Sequence, residues 1–336
     1  MKEALSTLAD RLCARDPRAL ARALSLVEEE GEESADLVKA VFRRTGRAFV
    51  LGVTGPPGAG KSTLVDRVAR VFRSPRPASS QVGTEFGHPA SVGIIAIDPS
   101  SPFTGGAVLG DRIRMSGHHA DEGVFIRSMA TRGHLGGLAR ATTDAVLVLD
   151  AAGWDVIIVE TVGVGQDEVE IARTADATIV VLMPGGGDEV QTLKAGLMEI
   201  ADIFVVNKAD REGSERLVAA LEAAESLNVR GPGALTPAIL KTVATSGQGI
   251  DDLVQAIWKF RRAAEQGPAA QTLLRRRHDR AERQLRDLVH QLFGRYLDQK
   301  VLAPGELAAL VTRITGRQID PYTAAADLVR RAVKDT

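Results

Sequence analysis

The stretch "GPPGAGKST", residues 55–63, decides the fold. Its spacing is G-x-x-x-x-G-K-[ST], with Gly55, Gly60, Lys61 and Ser62 at the defining positions. Glycines let the backbone close around phosphates, so that successive N–H groups and the start of the following helix face negative charge. Lys61 is placed to reach the β and γ phosphates, and the Ser62 hydroxyl to offer an oxygen to Mg²⁺. Gly55, Pro57, Gly58, Ala59, Gly60, Lys61, Ser62 and Thr63 are therefore the candidate phosphate contacts. The flanks fit this reading. "FVLGVTG" before the loop has the continuous apolar run of a buried strand, and "KSTLVDRVARVF" after it repeats Leu64, Val65, Val68, Val71 and Phe72 at helical spacing.

The chain has 336 residues, enough for one large α/β domain with additions or for two domains. Its formal net charge of −1 gives no reason to expect bulk binding to nucleic acid or to an anionic membrane. Cys13 is the only cysteine, which excludes an intrachain disulfide and a zinc or iron–sulfur site built on cysteines. The start, "MKEALSTLADRL", lacks the apolar centre of a signal peptide, and no apolar run approaches the roughly 20 residues of a membrane span. A soluble, cytoplasmic protein is expected.

Three regions differ in pattern. Residues 1–46 carry Leu5, Leu8, Leu12, Leu20, Ala23, Leu24 and Val27 at helical spacing, broken at Asp16-Pro17, and read as a helical extension. Residues 47–264 alternate apolar runs with helix-length segments: "FVLGVTG", "SVGIIAIDPS", "GVFIRSMAT", "WDVIIVETVG", "ATIVVLMPG", "DIFVVNKAD" and "ILKTVATSG". Such runs suit an α/β fold with a mostly parallel sheet covered by helices, its ligands at the carboxyl ends of the strands. Residues 265–336 lose the strands. Leu274, His278, Ala281, Leu285, Leu288 and Leu292 step by four and three along one long helix, and two shorter helices follow Pro304 and Pro321, a pattern suited to assembly. Six arginines within 275–286 are interleaved with Asp279 and Glu282 and read as a solvated helix face rather than a nucleic-acid patch. The Pro/Ser/Gly-rich stretch 73–89 reads as a surface loop, and His118-His119 as a turn.

"NKAD", residues 207–210, ends a strand. Guanine offers N1–H and N2–H₂ as donors, and Asp210 is the residue type that accepts both, while Asn207 and the stem of Lys208 brace base and loop. Adenine would leave that carboxylate unpaired. In "ATSG", residues 244–247, a backbone N–H at Thr245 or Ser246 is available to the guanine O6. The phosphate loop is therefore expected to hold GTP or GDP. "ETVGVGQDE", residues 160–168, puts Glu160 where a nucleotide hydrolase keeps an acid for Mg²⁺-bound water, and Gly163 where an N–H can sense the γ-phosphate. Val164 follows in place of a water-orienting glutamine, so fast hydrolysis by the isolated chain is not expected. "AIDPSSPFTGGAVLGDRIRM", residues 96–115, adds Asp98 and Asp111 as further candidates around Mg²⁺, and Arg114 as a stabiliser of charge on the transferred phosphoryl. "PGGGDEVQTLKAG", residues 184–196, is a glycine-rich hinge leading to Asp188, Gln191 and Lys194.

With "ATRGHLGGLARAT" at residues 130–142, these motifs together resemble the MeaB/ArgK family, metallochaperone-type GTPases associated with methylmalonyl-CoA mutase. The resemblance covers nearly the whole chain and is strongest over 49–211. It implies a P-loop GTPase with an N-terminal helical extension and a C-terminal helical arm for homodimerisation. It also implies a partner, an adenosylcobalamin-dependent acyl-CoA mutase whose cofactor loading and protection from inactivation the GTPase gates. By the resemblance, Lys61 and Ser62 meet phosphates and Mg²⁺, with Asp98, Asp111 and Glu160 around the metal. Asn207, Lys208 and Asp210 hold guanine, and Gln191 and Lys194 sit on a further switch that the mutase moves to accelerate hydrolysis. The stretch 73–90 is longer than the family's usual link. An ATPase or kinase serving basic amino-acid transport, a label also attached to this family, is the alternative. A nickel-delivery GTPase would want a His-rich tract or further cysteines.

Overall fold

The structure is a computed structural model that describes residues 2–74, 88–98, 121–130, 137–161, 167–185, 196–228, 235–266 and 270–334. Seven strands form one sheet: β1 Phe49–Thr54, β2 Val92–Asp98, β3 Val124–Ala130, β4 Val156–Glu160, β5 Ala177–Leu182, β6 Ile203–Asn207 and β7 Ala238–Thr242. Their order is β3-β2-β4-β1-β5-β6-β7, and every pairing is parallel. Each of the seven apolar runs read from the sequence carries one of these strands. The chain builds one wing after β1, returns beside it in β4, then crosses to β5 on its other side. The order therefore reverses at β1, and the crevice at its carboxyl end is where such a sheet takes ligands.

Both faces of the sheet are covered at its centre, which is why β1, β4, β5 and β6 are buried along their whole length while the edge strands β3 and β7 carry Arg127 and Lys241. On one face Val50, Ile95, Ile97, Ile157 and Val159 share a core with α1 Lys2–Cys13, α2 Pro17–Glu29, α3 Glu32–Val41 and α5 Gly137–Ala151. Ile171, within α6 Asp167–Thr174, and Ala175, just after it, complete that core. On the other, Phe49, Leu51, Val53, Ile94 and Ile158 meet α4 Lys61–Arg73 and α9 Ile250–Glu265, centred on the buried Trp258. A third cluster joins Val180, Leu182, Phe204 and Val206 to α7 Leu197–Ile200 and α8 Ser214–Leu227. The Asp16-Pro17 break is a helix start: Asp16 caps α2 by accepting from the N–H of Arg18 and Ala19, with Pro17 at the first helical position.

By contact density the chain divides into two units, Met1–Arg277 and His278–Thr336. The division falls inside α10 Ala270–Tyr296. Within the first unit Arg276 forks onto Asp202 at 2.8 and 2.9 Å, and Arg277 reaches Asp176 at 3.0 and 3.2 Å. These two arginines are therefore not part of a solvated face, as the interleaved charges suggest; the acids that hold them precede β5 and β6, far away in sequence. The second unit adds α11 Glu306–Thr315 and α12 Pro321–Lys334, tied by Arg331 to Glu306 at 2.7 Å. Much of the stretch 73–89 and His118-His119 lie outside the described residues. Among the described residues no helix is long and apolar enough to cross a membrane.

Candidate nucleotide-binding site

The loop between β1 and α4 is held by contacts that only glycine permits at two places. Gly55 has φ +138°, and a Cβ there would stand 2.0 Å from the Val181 carbonyl oxygen of β5. Gly60 caps α4 at φ +90°, and its Cβ would stand 2.4 Å from Asn207 Nδ2. The loop thus lies directly on the carboxyl ends of β5 and β6. Pro57 and Gly58 are on its exposed rim and Thr63 is exposed in the first turn of α4, while Ala59 is buried. Lys61 is only 5% exposed, and its ammonium donates to Gly55 O at 2.8 Å and Pro56 O at 3.0 Å. A cation is therefore stationed inside the loop, where it can meet phosphate oxygens.

The next strand end supplies the acid. Parallel register sets Glu160 of β4 beside Val53 of β1 and Ala96 of β2, so Glu160 and Asp98 finish neighbouring strands at one edge. The Ser62 hydroxyl donates to Glu160 Oε1 at 2.6 Å, joining the first turn of α4 to β4. One residue further, Thr161 Oγ1 and Thr54 Oγ1 lie 2.9 Å apart, both buried. A serine hydroxyl and a carboxylate so placed are hard oxygen donors, the type Mg²⁺ takes.

Asn207 is the centre of the other half of the site. Its Nδ2 donates to Ala59 O at 2.8 Å, and its Oδ1 accepts from Thr242 Oγ1 and from the Ala244 N–H, each at 3.1 Å. One buried amide thus ties the phosphate loop, the end of β7 and the loop after it. Lys208 takes the left-handed conformation, φ +56°, and carries its ammonium across to Gly58 O at 2.7 Å. Asp210 stands exposed in the following turn, which is pinned to β7 by Ala209 N–H donating to Thr242 O at 3.0 Å. Thr245 and Ser246 are exposed in a turn closed by the Ser246 and Gly247 N–H groups on Val243 O.

Lys61, Ser62, Glu160, Asn207, Lys208, Asp210, Thr245 and Ser246 therefore collect along the carboxyl edge formed by β1, β4, β6 and β7. Asp111, Arg114, Gly163, Gln191 and Lys194 lie outside the described residues, as does the side chain of Asp98. Two participants, Thr242 and Arg67, lie outside the site residues read from the sequence. Thr242 could have been found as the last residue of a strand opposite the asparagine; Arg67, which binds the carbonyls of Ala244 and Thr245, could not, since it looks like any charged position on α4.

The family profile described as methylmalonyl Co-A mutase-associated GTPase MeaB matches residues 20–300. The chain belongs to this family. A Pyrococcus abyssi protein with a provisional GTPase name is 45% identical over 332 residues, covering 98% of this chain and 97% of its own. The Escherichia coli GTPase ArgK is 39% identical over 268 residues, 77% of each chain. A mouse mitochondrial protein named methylmalonic aciduria type A homolog is 34% identical over 258 residues, 72% of this chain and 59% of its own. Among solved structures, one described as LAO/AO transport system kinase is 28% identical, with a TM-score of 0.69 over 98% of both chains. This MeaB-family member is thus a P-loop GTPase that binds guanine nucleotide and hydrolyses GTP.

Proposed function

We propose that this GTPase is an accessory protein of an adenosylcobalamin-dependent acyl-CoA mutase, using GTP to gate loading of the cofactor and to protect the mutase from inactivation. The observation that carries the proposal is the family match over residues 20–300, whose description names association with methylmalonyl-CoA mutase. The mouse relative's name is consistent with it.

In this proposal Lys61 neutralises charge on the β and γ phosphates. Ser62, Glu160, Asp98 and Asp111 hold Mg²⁺, directly or through its waters, and the Ser62–Glu160 pair supports that assignment. When bound, the ion supplies neutralisation of charge on the phosphates. Gly163 senses the γ-phosphate, Arg114 stabilises charge on the phosphoryl in transit, and Gln191 and Lys194 are brought to the site by the mutase. Asn207, Lys208, Asp210, Thr245 and Ser246 select guanine. Because Val164 offers no amide to orient water, turnover by the isolated chain is slow and rises on contact with the mutase. The same proposal assigns the protein to the cytoplasm as a homodimer, with neither nucleic acid nor membrane as partner. Residues 1–46, 47–264 and 265–336 serve as helical extension, GTPase domain and dimerisation arm. Exposed Leu285, Val289 and Leu292 on α10 support the last role.

The experiment is GTP turnover by the purified protein alone and with the host's cobalamin-dependent mutase, with ATP as control. A severalfold rise with the mutase supports the proposal; unchanged turnover in a demonstrated complex overturns it. The solved relative described as a transport system kinase favours a second reading, an ATPase or kinase linked to basic amino-acid transport. That reading requires tighter binding of ATP than GTP, which the exposed Asp210 carboxylate opposes because adenine carries no donor at N1 or C2, where guanine offers two.

A further inference from the structure

Arg67 lies half-buried on α4, two turns beyond Lys61. Its Nε donates to Ala244 O at 3.0 Å and its Nη2 to Thr245 O at 2.7 Å. Among the described residues no carboxylate pairs with it. A guanidinium is a rigid fork of donors, and here the fork is matched to two successive backbone carbonyls rather than to an acid. In a trans peptide the C=O and N–H point in opposite directions. Drawing the carbonyls of Ala244 and Thr245 toward α4 therefore turns the N–H groups of Thr245 and Ser246 away from it.

The remaining groups of the turn are held from within or by Asn207. Ser246 N–H closes on Val243 O at 3.1 Å, Val243 N–H on Gln248 O at 3.0 Å, and Ala244 N–H on Asn207 Oδ1. Two side chains from outside thus set the orientation of the turn, Asn207 from the base-binding motif and Arg67 from the helix that follows the phosphate loop. Lysine could make one of the two Arg67 bonds and an apolar side chain neither.

We propose that Arg67 is a positioning residue for guanine specificity, fixing the peptide planes of 244–246 so that the Thr245 N–H, rather than the Ser246 N–H that closes on Val243 O, is presented to the O6 of the base. The proposal rests on the assignment of this turn to guanine. Selection of the base then depends partly on the phosphate-loop helix, and a shift of α4 is felt at the base as well as at the phosphates.

The test is a binding cycle on the full chain. Affinities of wild type, Arg67→Met and Arg67→Lys are measured by calorimetry for GDP, ADP and the diphosphate of 6-thioguanosine, which keeps the N1–H and 2-amino donors of guanine and puts sulfur, a weaker acceptor, in place of O6. Arg70→Met is the control, since Arg70 lies on the same helix and pairs with Asp66 of that helix at 3.0 Å. In wild type, sulfur in place of O6 weakens binding; in Arg67→Met that penalty shrinks by up to about tenfold, the size of one hydrogen bond lost from a pre-arranged site. Arg67→Lys recovers part of it and Arg70→Met leaves it unchanged. The proposal is overturned if Arg67→Met keeps the full O6 penalty, or if it weakens GDP and ADP equally, which would mark a structural role alone. A wild-type chain that binds the sulfur analogue as tightly as GDP would instead overturn the assignment of the turn, a separate failure visible before any variant is made.

Discussion

Ser62 Oγ donates to Glu160 Oε1 at 2.6 Å, so the first turn of the phosphate-loop helix is tied to the end of β4 through two hard oxygen donors. Glu160 is 3% exposed, and its partner across β1 in register is Val53, one residue before Thr54.

Glu160→Gln is therefore expected to keep the fold and the Ser62 contact while removing a charge. Affinity for GTP in the presence of Mg²⁺ falls by about ten- to a hundredfold, the usual cost of losing a group that supports a metal ligand. Affinity for GDP with EDTA present changes little. Calorimetry with and without Mg²⁺ separates the two, and equal losses in both would remove Glu160 from the metal's surroundings.

Asp210 is expected to set the choice of base. Its carboxylate can accept two donors from guanine, and an amide in its place presents a donor to the C2 position. Asp210→Asn should lower GDP affinity by about a hundredfold, from two charge-assisted bonds weakened at once, and raise affinity for xanthosine diphosphate. Competition between the two nucleotides on the purified variant measures the exchange. Asp210 is exposed, so thermal stability should not move.

How far these features can be read from the sequence follows the range of the interaction. The central strands are legible because both faces of the sheet are covered there, which leaves a run such as Val156–Glu160 apolar up to its functional end. The loop at 55–63 is legible because its glycines answer local demands of φ, although the close approach of Gly55 to Val181 is not visible in the pattern. Arg67 and Ala244 stand 177 residues apart, and nothing near either marks the contact. Arg276 and Arg277 fail as a solvated face for the same reason, since the acids that claim them belong to other strands' starts. Charge runs show which residues are ionised; they do not show which of them fold back onto the core.

The Arg277–Asp176 pair anchors the root of α10. Asp176 is 1% exposed and also accepts the Val50 N–H at 3.1 Å, so it cannot turn to water if the arginine is removed. Arg277→Met should cost about 2 kcal/mol, less than a fully buried pair because the arginine itself is 38% exposed. Adding Asp176→Asn should recover part of that loss. Urea denaturation of the two single variants and the double variant gives the coupling, and strict additivity would mean that the pair contributes nothing of its own.

Asp144 makes stability depend on pH in an uncommon direction. It lies on α5, buried to 7% side-chain exposure, with Arg140 one turn before it at 3.6 Å. Burial pushes its carboxyl from 3.8 up to about 6, against the opposing pull of the Arg140 charge and with a smaller push from Glu30. Between these two values the folded chain holds a proton that the unfolded chain has released, so stability falls as pH rises from about 4 to 6 and is flat above. Asparagine resembles the protonated acid and removes that slope. Asp144→Asn should therefore match wild type near pH 4 and exceed it by about 2 kcal/mol at pH 7.5, a shift of roughly two pH units being worth a little more than this. Denaturant titrations of both proteins at the two pH values decide the matter. A variant less stable than wild type at pH 7.5 would mean that the ionised acid supports Arg140 more than burial opposes it.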